Sequence, residues 1–184
     1  MRSAEFLSKV FHPLAVLPVS ALLFLNFSGL SLADSVYWIF LWTIISLLPT
    51  TLTTYYTGER GLNVPEREKR WKPFFVGVSS LALSLVPFWV LSAPDVVLKL
   101  GATGVIAITI FGLANYFNKI SIHTGSIACA AALFTIVSSR AAAFLALSSV
   151  LVGWSRVELE RHSLVQVVQG GVLGVICGLV FLAL

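Results

Sequence analysis

Three histidines are available to this 184-residue chain for acid, base or nucleophilic work: His12, His123 and His162. His123 closes the segment "NKISIH" (118–123) and His162 closes "SRVELERH" (155–162). Imidazole changes charge near neutral pH, so one ring can attack phosphorus and form a phosphohistidine while a second protonates the leaving oxygen. Cations accompany both rings. Lys119 and Arg156 lie in the same segments, and the loop "TGERGLNVPEREKRWK" (57–72) adds Arg60, Arg67 and Arg70 among five basic and three acidic residues. Arginine forks match phosphate oxygens two at a time, and a helix start offers free N–H donors, so this set describes an anion site for a phosphate at headgroup level. A metal-dependent route is poorly supplied. The chain has two aspartates, Asp34 and Asp95, and no Asp-rich motif, so neither a metal nor another cofactor is expected. His12, just before Pro13, reads as an interfacial residue where the first helix starts, with no role.

The elements that must position these groups are membrane helices. Hydrophobic residues make up 58% of the chain and charged ones 11%, against about 25% charged in a soluble domain. The expectation is an all-α, polytopic transmembrane helix bundle of six to seven spans forming one domain over 1–184, with the first span kept in the mature protein. Apolar stretches run at about 11–31, 35–56, 73–92, 95–117, 121–138, 141–156 and 164–184. Pro73 and Pro94 stand where helices begin, and Asp95 suits a helix N-terminus. The fifth and sixth stretches are short and rich in Ala and Ser, and the last places Gly170 and Gly174 four residues apart, which favours close helix packing. Cys129 and Cys177 fall inside apolar runs and are expected to be unpaired. Nucleic acid is discounted as a partner, since the aromatics sit in or beside the spans.

Parity brings the clusters together. If all seven stretches cross, the loop 57–72, the segment 118–123 and the segment 155–162 share one face with the N-terminus. Ten of the twelve Lys and Arg residues then lie on that face, leaving Lys99 and Arg140 on the other. By the positive-inside rule that face is cytoplasmic.

At these segments the chain resembles the type-2 phosphatidic-acid phosphatase and vanadium haloperoxidase superfamily. Ser155, Arg156 and His162 match its third motif, Ser-Arg, five residues, His. Its second motif is Pro-Ser-Gly-His, of which Ser121 and His123 keep the Ser and the His while Ile120 and Ile122 replace the Pro and the Gly. Arg60 and Arg67 have the spacing of its first motif, Lys, six residues, Arg-Pro, with Arg in place of Lys and Glu68 in place of Pro; Arg70 or Lys72 compete for that assignment. The resemblance implies a metal-independent phosphatase acting on a membrane lipid phosphate or diphosphate. It casts His162 as nucleophile, His123 as general acid, and Arg60, Arg67, Arg156 and Ser121 as ligands of phosphate oxygens, with Arg70 and Lys119 as further cations. The family's third motif also ends in an Asp four residues after the nucleophilic His, where this chain has Gln166. Gln166 can orient the imidazole through its amide oxygen, and Glu158, one turn earlier if the helix continues, could supply the missing charge.

Two other functional classes fit parts of the pattern. The Gln166 replacement and the altered second motif suit a weak or inactive relative that binds lipid phosphates or acts as a membrane scaffold. Glycine-rich packing suits a small transporter, although the chain has no buried acidic pair or broken-helix repeat to serve one.

Overall fold

The computed structural model describes residues 2–58, 64 and 67–184, with the backbone alone for Arg67. Among them every regular element is helical, as expected. In chain order the α-helices are α1 (Arg2–Val10), α2 (Pro13–Phe27), α3 (Leu32–Trp42), α4 (Leu48–Thr57), α5 (Trp71–Val90), α6 (Asp95–Phe117), α7 (Ile122–Phe134), α8 (Ser139–Glu158) and α9 (Leu164–Leu179). Five helical segments are long and apolar enough to cross a bilayer, or six if the bent pair α1 and α2 counts as one span. This makes the chain an integral membrane protein. The seventh expected crossing is not reached: α7 has 13 residues, about 20 Å at 1.5 Å per residue, against a hydrocarbon core of about 30 Å.

The chain packs as two compact units. One holds residues 31–118. There α3 and α4 join through a π-helical stretch, Thr43–Leu47, into one helix of 26 residues. The stretch precedes Pro49, which has no N–H to return to the carbonyl four residues back, so a wider local turn costs little there. Helix α5 packs against both α4 and α6. Small residues set the spacing, with Gly77 under Thr50 and Ile108 and Gly112 under the ring of Phe74.

The other unit combines residues 1–30 with 119–184. Its centre is α7, which packs against α2, α8 and α9. Eleven of its thirteen residues are buried. The sequence explains this: apart from His123 at its start, "IHTGSIACAAALF" is small or apolar all the way round, so no side needs to face water and neighbours approach closely on all sides. A helix so enclosed need not match the bilayer in length.

Helices α7 and α9 meet through a ladder of small residues. Gly170, Gly174 and Gly178 of α9 lie against the backbone of Ser121, Gly125 and Cys129, four-residue steps on both helices, so the two run parallel and in register. A Cβ at Gly170 or Gly174 would collide with a backbone carbonyl. Helix α8 returns between them, tied to α7 by the Ser149 hydroxyl donating to the Thr124 carbonyl at 3.1 Å.

Candidate functional site

Parallel α7 and α9 with α8 running back between them put the start of α7, the end of α8 and the start of α9 at the same end of the unit. His123, Arg156 and His162 stand at those three places. The convergence that parity predicted for the second and third clusters is therefore present in the fold.

The turn after α8 explains why five residues separate Arg156 from His162. The Arg161 and His162 N–H groups both donate to the Arg156 carbonyl, at 3.0 and 3.2 Å, and Glu160 N–H donates to Val157 at 2.9 Å. This is a Schellman motif, which folds the chain back onto the last helical turn. Its left-handed position is held by Glu160 at φ 54°. Glycine is the usual occupant, and a side chain there costs roughly 1–2 kcal/mol. The motif fastens the backbone of His162 to that of Arg156.

Two sequence expectations change here. Helix α8 ends at Glu158, so Glu158 and His162 do not stack as successive turns of one helix, and Glu158 is exposed. Gln166 is drawn into a capping box. Its Oε1 accepts from the Ser163 N–H at 3.2 Å, while the Ser163 hydroxyl accepts from the Gln166 N–H at 3.3 Å. The amide oxygen thus closes the start of α9. The signature was legible as "SLVQ", a Ser three residues before a Gln at the head of an apolar run.

Ser121 caps α7. Its hydroxyl accepts from the Thr124 N–H at 3.4 Å and pairs with the Thr124 hydroxyl at 3.0 Å. Its backbone N–H donates to the Gln166 carbonyl at 3.1 Å, which locks the first turns of α7 and α9 together. Ser121 is fully buried, so its side chain serves the cap.

Arg156 is 8% exposed. Its Nη1 donates to the Ser8 hydroxyl at 2.7 Å, and its Nε has no partner. The adjacent Ser155 hydroxyl is likewise buried and unsatisfied. The guanidinium makes no ion pair with a described carboxylate. A buried cation without a counter-charge is costly in a membrane protein. The carbonyl end of α8 offsets part of that cost, since Arg156 lies in the last turn.

His123 is also 8% exposed, and Arg156, His12 and His162 lie near enough to act on it electrostatically. His12 was read as a residue without a role. The fold places its ring edge-on to that of His123, centroids 5.0 Å apart and planes at 88°. All three histidines of the chain thus gather at one end of the unit with one buried arginine. The sequence held a faint signal for this in the pair His12-Pro13, which forces a break between the amphipathic α1 and the apolar α2.

The remaining expected cations are distributed differently. Lys119 is exposed at the head of "KISIH". Arg70 precedes α5 and donates from Nε to the Val64 carbonyl at 2.9 Å. Arg67 opens a short 3-10 turn, and Arg60 lies outside the described residues. Among the described residues no group of three or more His, Cys, Asp or Glu is arranged to hold a metal ion.

Compared with known proteins, the chain matches no family model, no curated protein and no solved structure.

Proposed function

We propose that this protein hydrolyses a lipid phosphate or isoprenyl diphosphate without a metal, through a phosphohistidine, as a member of the type-2 phosphatidic-acid phosphatase superfamily that its motifs resemble. The observation that carries the reading is the buried guanidinium of Arg156 at the same end of one unit as two imidazoles, His123 at the start of α7 and His162 in the turn between α8 and α9. Its Nε and the Ser155 hydroxyl are buried polar groups that a phosphate oxygen would satisfy. The N-termini of α7 and α9 point their positive dipole ends toward the same region.

In the reaction His123 enters as the imidazolium; His162 donates a ring-nitrogen lone pair to phosphorus, the bond from phosphorus to the lipid oxygen breaks, and His123 gives that oxygen its extra proton and is left neutral. Water then attacks the phosphohistidine, returning a proton to His123 and releasing inorganic phosphate with a neutral His162. Arg156 holds the equatorial oxygens, where charge accumulates in the transition state. The bilayer is both solvent and substrate reservoir.

The test is phosphate release by the purified protein in detergent, with EDTA present, from phosphatidic acid, phosphatidylglycerophosphate and isoprenyl diphosphates. Rapid quenching with a phosphorus-labelled substrate is expected to trap an acid-labile phosphoprotein that His162→Asn abolishes. No release from any of these lipids would remove the enzymatic reading, and activity lost to EDTA would remove the metal-free mechanism. A second reading, a lipid-phosphate binder without turnover, is favoured by one observation: the residue at the family's carboxylate position, Gln166, is uncharged and occupied with Ser163. Vanadate binding without phosphate release would select it.

A further inference from the structure

The N-terminal helix pair supplies two side chains to this site, and no motif contains them. Pro13 lacks an N–H and pushes the residue before it out of the helical region, so His12 is extended, at φ −66° and ψ 136°. The chain bends by 49° there. Helix α1 consequently packs on α8 while α2 packs on α7. The buried face of α1 is Ala4 and Ser8, one turn apart, and Ser8 reaches Arg156. One further turn along the chain, His12 caps α2 through Nδ1, which accepts from the Leu14 N–H at 3.3 Å. An accepting Nδ1 leaves the ring proton on Nε2, so His12 is held as a neutral imidazole in one orientation. That ring lies against His123.

We propose that Ser8 and His12 are positioning residues of the site: Ser8 orients the guanidinium of Arg156 and His12 fixes the ring of His123, so that the break between α1 and α2 forms a wall of the phosphate site. This rests on the phosphatase reading for its ligand, but not for its geometry. Capping alone does not explain His12, because Asn, Asp or Ser would cap α2 better. Solubility alone does not explain Ser8, which is buried and whose hydroxyl is the one hydrogen-bond partner of the Arg156 guanidinium among the described residues. Without Ser8 the guanidinium gains rotational freedom around a long stem, and without the His12 ring His123 faces a gap.

The experiment uses the full chain in detergent micelles with ring-labelled histidine, comparing wild type, His12→Asn, Ser8→Ala and Ser8→Thr, with orthovanadate as the probe. His12→Asn keeps the cap and deletes the ring; His12→Ser repeats the comparison should the Asn variant not fold. The His123 ring resonances are expected to move in His12→Asn. Vanadate affinity is expected to fall about tenfold in Ser8→Ala, the weakening that follows from losing one charge-assisted contact, with Ser8→Thr restoring it, and about three- to tenfold in His12→Asn, which loses an edge-on ring pair. Unchanged His123 resonances together with unchanged vanadate affinity in His12→Asn would overturn the assignment of His12. Equal affinity in Ser8→Ala and wild type would overturn that of Ser8. Failure of the wild type to bind vanadate would count against the phosphatase reading instead, and the ring resonances, which need no ligand, would still decide the place of His12.

Discussion

Replacing Gly170 by Ala tests whether the α7 and α9 contact holds the site together. A Cβ on Gly170 would run into the Ser121 carbonyl, with the Ser121 carbonyl carbon at 3.1 Å and its nitrogen at 3.2 Å. All three are backbone atoms at a helix start and cannot rotate away. Gly171, its neighbour on the same helix, would meet only the Thr124 Cγ2 at 3.7 Å, an ordinary contact. The intrinsic gain from Gly to Ala in a helix is about 1 kcal/mol at both positions. At Gly170 it is opposed by overpacking of about 1–3 kcal/mol and by about 1 kcal/mol for the Ser121 to Gln166 hydrogen bond that must stretch. Gly170→Ala is therefore expected to destabilise by about 1–3 kcal/mol, while Gly171→Ala is neutral or stabilising by up to about 1 kcal/mol. For a chain of this size that separates their melting temperatures by roughly 2–16 °C, read by thermal unfolding in one detergent. The shift also carries His123 away from His162, and a displacement of about 1 Å at reacting groups costs on the order of a hundredfold in turnover. Phosphate release should thus fall steeply in Gly170→Ala and stay near wild type in Gly171→Ala. Equal stability and equal turnover in the two variants would refute the reasoning, because it predicts opposite signs from one chemical change at adjacent positions.

Glu160→Gly should raise the melting temperature by the equivalent of about 1 kcal/mol, since glycine relieves the left-handed strain at φ 54°; a lower melting temperature would show that the Glu160 side chain contributes something the backbone geometry does not reveal. Glu158→Gln should leave turnover within about twofold of wild type, because exposed charges interact weakly and α8 ends before a helical contact with His162 could form; a hundredfold loss would restore Glu158 to the site.

Much of the site was readable from spacing. Ser-Arg, five residues and His is a pattern a Schellman return satisfies, and that return brings His162 back to Arg156. Why Glu rather than Gly occupies its left-handed position could not be anticipated, because backbone geometry overrules residue preference where neighbouring hydrogen bonds over-determine the turn. Gln166 was readable in two ways, as the substitute for a motif carboxylate and as the third residue of a capping box. Local hydrogen bonding shows the box. His12 was hidden for a different reason: it stands 111 residues before His123 in the sequence, and only the packing of α2 on α7 joins them.

The sequence by itself determined that this is a helical membrane protein, because a chain 58% hydrophobic and 11% charged, with continuous apolar runs of about 20 residues in place of the short alternating strands of a barrel, satisfies its backbone in lipid as helices. It also determined which residues are chemically able to handle phosphate, since residue type and motif spacing are local properties. The tertiary structure decided which of them meet. The parallel register of α7 and α9 is set by glycines whose missing side chains let backbones touch, and the bend at His12-Pro13 sends α1 and α2 to different partners. Those two packing choices put a serine and a third histidine beside Arg156 and His123, a juxtaposition of groups far apart in the chain that no local pattern encodes.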